Sequence, residues 1–122
     1  MNTITFDFED GNGPVPAHQH PNGGGWVADT ASVADTVYVG PYARVYGNAK
    51  VYGNAEVSGN ARVSGNAEVY VNAVVSGNAK VFGNAKVYGS AIVSGNALVS
   101  GNAPVSDNAW VSDDAAGGGR IS

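Results

Sequence analysis

Cysteine is absent from the 122 residues, which excludes disulfides and thiolate-ligated metals. Basic residues are few: six Lys and Arg stand against ten Asp and Glu, and a net charge of −4 gives no general pull toward nucleic acid. Long apolar runs are missing, so no stretch is suited to cross a bilayer as a helix. The opening MNTITFDFEDGNG has neither the basic nor the apolar region of a signal peptide. The cytoplasm of a producing cell, or a virion assembled there, is the expected location. Threonine is absent beyond Thr36, so the chain is not a Thr-x-Thr ice-binding array. Most turns lack an acidic residue, against a calcium-binding roll. The run GNGPVP is too irregular, and lacks the strand–helix context, to cradle phosphate.

What is present is a period. Valine occupies every sixth position from Val27 to Val111, fifteen in all, and alanine stands two residues before nearly every one. Six is neither the period of a helix nor that of one long strand. It is the period of a short strand plus a turn, repeated, which predicts a solenoid. Within Ala-x-Val-[Ser/Tyr]-Gly-Asn, alternation sends Ala and Val to one side and their neighbours to the other. Gly and Asn both tolerate the positive φ of a sharp corner, and the corner asparagines can stack in amide ladders. The eighteen glycines are mostly in phase with the repeat, which favours ordered turns over disorder. Val71 stands where glycine is usual. A β-branched residue resists positive φ, so this corner is expected to turn differently from its neighbours.

Read from each valine, V-[S/Y]-G-N-A-x resembles the hexapeptide repeat of left-handed parallel β-helix proteins. The resemblance covers about three quarters of the chain. It implies a triangular, left-handed, all-β solenoid with three hexads per coil, hence about five 18-residue coils, and it implies homotrimers. The segment GGGWVADTASV (23–33) also resembles the GGWV opening of phage- and prophage-type repeat proteins. At roughly 4.8 Å per coil, five coils make a prism ~24 Å tall.

Three parts are expected. Residues 1–24 differ in kind: Ile4, Phe6 and Phe8 alternate as in a strand, and GNGPVPAHQHPNGGG follows as turn chemistry. Residues 25–116 form the solenoid, and residues 117–122 a frayed tail. An open solenoid end exposes apolar surface and unpaired strand edges. Phe6, Phe8 and Trp26 are the candidate cap at the N-terminal end, and this segment can also dock a protein partner. Near the other end Asp107, Asp113 and Asp114 replace glycine or asparagine and discourage end-to-end stacking.

With an 18-residue coil, three exterior faces can be written down. The first carries Ser32, Lys50, Glu68, Lys86 and Pro104 beside a tyrosine ladder, Tyr52, Tyr70 and Tyr88. The second carries Tyr38, Glu56, Val74, Ile92 and Trp110 beside Ser58, Ser76, Ser94 and Ser112. Contiguous exposed apolar surface marks an interface, so Tyr38, Val74, Ile92 and Trp110, with Ser76 and Ser94, are the candidate oligomer contact. The third carries Arg44, Arg62, Lys80 and Leu98 beside Tyr46, Ser64, Phe82 and Ser100. Arg44, Tyr46, Arg62, Lys80 and Phe82 are the candidate ligand site, for a phosphate with a base or a carboxylate-bearing glycan. A solvated basic face is the competing account of that column.

No catalytic residue is identified. Chemically active members of the resembled superfamily are mostly acyltransferases using a histidine base, or carbonic anhydrases using three zinc-binding histidines. This solenoid contains no histidine and no long inserted loop. His18 and His20 supply two ligands where catalytic zinc takes three and structural zinc four, so neither metal nor cofactor is expected. Without a partnered base no serine is activated, and Asp7, Asp10, Asp29 and Asp35 form no evident acid–base pair. The expected function is a non-enzymatic structural or adaptor module, homotrimeric, of bacterial or phage origin. The alternative is a protein that binds or sequesters a small ligand, nucleotide or glycan on the basic-aromatic face.

Overall fold

The alternation of the hexad fixes which side chains face inward, and stacking does the rest. The computed structural model describes residues 4–8, 11, 13–101, 104–105 and 110–111; for Pro104, Trp110 and Val111 it describes the backbone alone. A hairpin of β1 (Thr5–Asp7) and β2 (Pro14–Gln19) precedes the solenoid. The first coil is β3 (Trp26–Ala28), β4 (Ser32–Val33) and β5 (Tyr38–Val39). The second is β6 (Arg44–Val45), β7 (Lys50–Val51) and β8 (Glu56–Val57), and the third β9 (Arg62–Val63), β10 (Glu68–Val69) and β11 (Val74–Val75). The fourth is β12 (Lys80–Val81), β13 (Lys86–Val87) and β14 (Ile92–Val93). Then come β15 (Leu98–Val99), β16 (Pro104–Val105) and β17 (Trp110–Val111). No helix occurs among the described residues, so none there is long and apolar enough to cross a membrane.

Strands pair in parallel with the coils above and below. Val45 lies against Val63, Val63 against Val81 and Val81 against Val99, so the coil is 18 residues long. The first face is the sheet β4-β7-β10-β13-β16, and the second is β5-β8-β11-β14-β17. The third, β3-β6-β9-β12-β15, is extended past its first coil by β2 and β1. Two-residue strands are too short to stand alone, and the stack supplies their partners. The Arg62 amide donates to the Ala79 carbonyl at 3.0 Å and the Ser64 amide to that of Val81 at 2.9 Å.

The interior is the valine and alanine columns. From Val39 and Ala43 to Val99 every in-phase Val and Ala is 0 % exposed. Each fully buried valine is worth about 1.5–3 kcal/mol. Alanine beside each valine keeps the triangle narrow, and Val37 takes the alanine position in the first coil, where it is also fully buried.

Corners are where glycine is required. From Gly47 to Gly101 the corner glycines hold φ between 61° and 79°. Successive corners also nest: a Cβ on Gly59 would lie 2.9 Å from the Gly77 amide nitrogen. The expectation for Val71 is corrected here. Its φ is 63°, the same turn as its glycine neighbours. The reason is the stack, because the Asn54 amide donates to the Val71 carbonyl at 2.8 Å and the Asn72 amide to that of Gly89 at 3.0 Å. Those inter-coil bonds impose the corner on whichever residue stands there. Val71 is the only non-glycine with positive φ among the described residues, so the corner asparagines turn without it.

At the N-terminal end, β2 pairs antiparallel along the outer edge of β3, with Ala17 opposite Ala28 and His18 opposite Val27. The loop after it serves β5. The Val39 amide donates to the Asn22 carbonyl, and the Val39 carbonyl accepts from the Gly25 amide, both at 3.0 Å. Asp107, Asp113, Asp114 and the tail 117–122 lie outside the described residues.

Candidate functional site

Phe6, Phe8 and Trp26 come together, but beside the interior rather than across it. Phe6 stacks on Trp26 at 4.7 Å, meets Phe8 edge-on at 4.8 Å, and Phe8 stacks on Tyr46 at 4.9 Å. With Val15, Ala17 and Ala28 these rings make a second apolar cluster on the outside of the third face. Alternation explains it: Val15 and Ala17 on β2, Phe6 on β1 and Trp26 on β3 fall on the side of the sheet away from Val27.

The third-face column is thereby divided. Arg44 pairs with Arg62 and Arg62 with Lys80 in register. Arg44 places its guanidinium carbon 5.1 Å from the Phe6 ring centre, a cation–π contact. Tyr46 is taken into the Phe8 stack. Arg44 and Tyr46 therefore belong to the aromatic cluster, while Lys80 and Phe82 stay exposed two coils below.

On the second face Val74 lies directly against Glu56 and Ile92, and Ile92 against the Trp110 backbone. Val74, Ile92, Ser76 and Ser94 are half-buried and Tyr38 exposed. The Trp110 side chain lies outside the described residues. The first face holds the tyrosine ladder, with Tyr52, Tyr70 and Tyr88 stacked at 4.9 and 5.0 Å and nearly parallel. Partial burial, then the Glu68 carboxylate, raise the Tyr52 pKa above the ordinary tyrosine value. For Tyr70 partial burial and the neighbouring Tyr88 do the same. At the corners the amide ladders Asn60–Asn78–Asn96 and Asn66–Asn84 run at 3.2–3.4 Å.

The two histidines are both engaged. His20 is buried and its Nε2–H donates to the Val37 carbonyl at 2.7 Å, above the first coil. The His18 Nδ1–H donates to the Asp29 carboxylate at 2.8 Å. Asp29 does therefore have a partner, contrary to the sequence expectation. Eleven residues separate them, and only the β2–β3 register, which carries no periodic signal, brings them together. Among the described residues no three His, Asp or Glu side chains converge as metal ligands.

Sequence reasoning also missed a cleft. A cavity of about 320 Å³ opens between the hairpin and the first corners of the solenoid, walled by Phe8, Val15, Ala28 and Tyr46, with Asp29 and Thr30 at its polar side.

The YdcK beta solenoid repeat matches this chain at residues 43–59, 55–70 and 79–95. These stretches fall on the second to fourth coils, and with the stacked parallel sheets they define a β-solenoid repeat protein. No curated protein and no solved structure matches the chain.

Proposed function

We propose that the protein is a non-enzymatic structural or adaptor solenoid of bacterial or phage origin, assembled as a homotrimer in the manner of hexapeptide-repeat proteins. It works in the cytoplasm or in a virion, and its N-terminal segment docks a further protein. One observation carries this reading: Val74 and Ile92 form a continuous apolar column on the second face, flanked by Ser76 and Ser94. Such a strip is suited to burial against a flat partner, and the small serines allow close approach. Glu56 above Val74 bounds the strip on that side. His20, the buried histidine, spends its Nε2–H on a backbone carbonyl, which fits a structural role.

Light scattering tests the assembly. The wild type is expected at three times the 12.3 kDa subunit mass, and Ile92→Glu at close to one, with its β circular-dichroism signal retained. A wild type that is monomeric at micromolar concentration removes the trimer. The second reading, an anionic ligand on the third face, rests on the adjacent Arg62 and Lys80 beside exposed Phe82. A thermal-shift screen with nucleotides and anionic sugars separates the two, since a ligand that binds the folded state raises its melting temperature.

A further inference from the structure

The cleft under the hairpin has a chemistry of its own. Its walls are apolar: Phe8 and Ala28 are almost fully buried, and Val15 and Tyr46 half-buried. Two of the polar groups along it are already bonded within the protein. The Thr30 hydroxyl donates to the Gly47 carbonyl, and the Asp29 amide to the Pro16 carbonyl. The Asp29 carboxylate accepts one bond from His18 and remains 53 % exposed. A carboxylate has room for about four such bonds. No lysine or arginine lines the cavity.

We propose that this cleft binds a small organic amine with an aromatic body. The apolar walls take the ring, and Asp29 accepts a charge-assisted hydrogen bond from the ammonium group. The edges of Phe8 and Tyr46 complete the wall, because their faces are turned to one another. The volume of about 320 Å³ is at the small end of ligand pockets, enough for one or two rings. An anion is repelled by Asp29, and a bare metal ion finds a single carboxylate here. The site lies on the first coil and its hairpin, away from the second face, so it stands whether or not the chain trimerises.

Calorimetric titration of the full chain with tryptamine and with indole-3-acetate tests this. Tryptamine is expected to bind saturably and indole-3-acetate more weakly. Asp29→Asn, which keeps an acceptor for His18, should weaken tryptamine by ~fivefold, the size of a partly exposed ion pair, and erase the preference. Val15→Trp fills the cavity and should abolish binding of both. Chemical-shift mapping on the wild type gives a reading free of any variant. Shifts confined to the amides of Ala28, Asp29, Thr30 and Gly47 support the site. No saturable binding at millimolar tryptamine, an undiminished affinity in Asp29→Asn, or shifts centred on Arg62 to Phe82 would each overturn it.

Discussion

Val71 holds a left-handed conformation that costs an L-residue about 1–2 kcal/mol, more for a β-branched one. Its side chain is 45 % exposed, so burial returns little of that cost. Val71→Gly relieves the strain and loses up to about 1 kcal/mol through greater freedom of the unfolded chain. The net expectation is a gain of about 1 kcal/mol, read as a higher urea midpoint at unchanged slope. A lower midpoint would mean that the valine methyls make a contact worth more than the strain. Gly25 is the opposite case. It stands at the alanine phase of the repeat, yet a Cβ there would lie 2.3 Å from Val39 Cγ1 and from the Gly40 carbonyl oxygen. Both are packed and neither can retreat far. Gly25→Ala is expected to cost about 2–4 kcal/mol, and a melting temperature equal to wild type would show that the 20–25 loop shifts freely.

The tyrosine ladder gives the first face a pH response. Both Tyr52 and Tyr70 have raised pKa values, through partial burial first and neighbouring groups second. A raised folded pKa means that the neutral form is favoured by folding. That contribution is complete below the unfolded value of about 10 and is lost as pH rises through the folded values. The urea midpoint should therefore begin to fall above pH ~10, and Tyr70→Phe, which keeps the ring and removes the middle phenol, should soften the fall. A wild type and variant that decline in parallel would put the response elsewhere. This ladder was legible in the sequence, because a strict six-residue period fixes the coil and the coil fixes which side chains are neighbours. The faces, the buried columns and the asparagine ladders follow from the same count. The conformation at Val71 was not legible, since local preference argues against it and only the bonds to adjacent coils impose it. Nor was the hairpin's place. Alternation of Ile4, Phe6 and Phe8 says strand, but nothing periodic says which edge it joins, and the pairing of His18 with Asp29 and the cleft beside it both depend on that edge.

At the scale of the whole molecule, each coil touches only the coils directly above and below. Val63 sits in the third coil, between Val45 and Val81, while Val99 lies two coils further on. Both are 0 % exposed, so truncation to alanine removes the same methyls from the same kind of interior. Each should cost about 2–3 kcal/mol locally, transfer and cavity together. Their reach should differ. A defect at Val63 breaks the stack into two short pieces, neither with enough coils to stand alone, so opening there is close to global unfolding. A defect at Val99 leaves the coils before it intact. Hydrogen exchange reads this directly through the third-face amides of Arg44, Arg62 and Lys80, which donate to the carbonyls of Ala61, Ala79 and Ala97 at 2.9–3.0 Å. Val63→Ala should speed exchange at all three, and Val99→Ala mainly at Lys80. If both variants speed all three amides equally, the solenoid unfolds as one unit, and the coil-by-coil account of its stability is wrong.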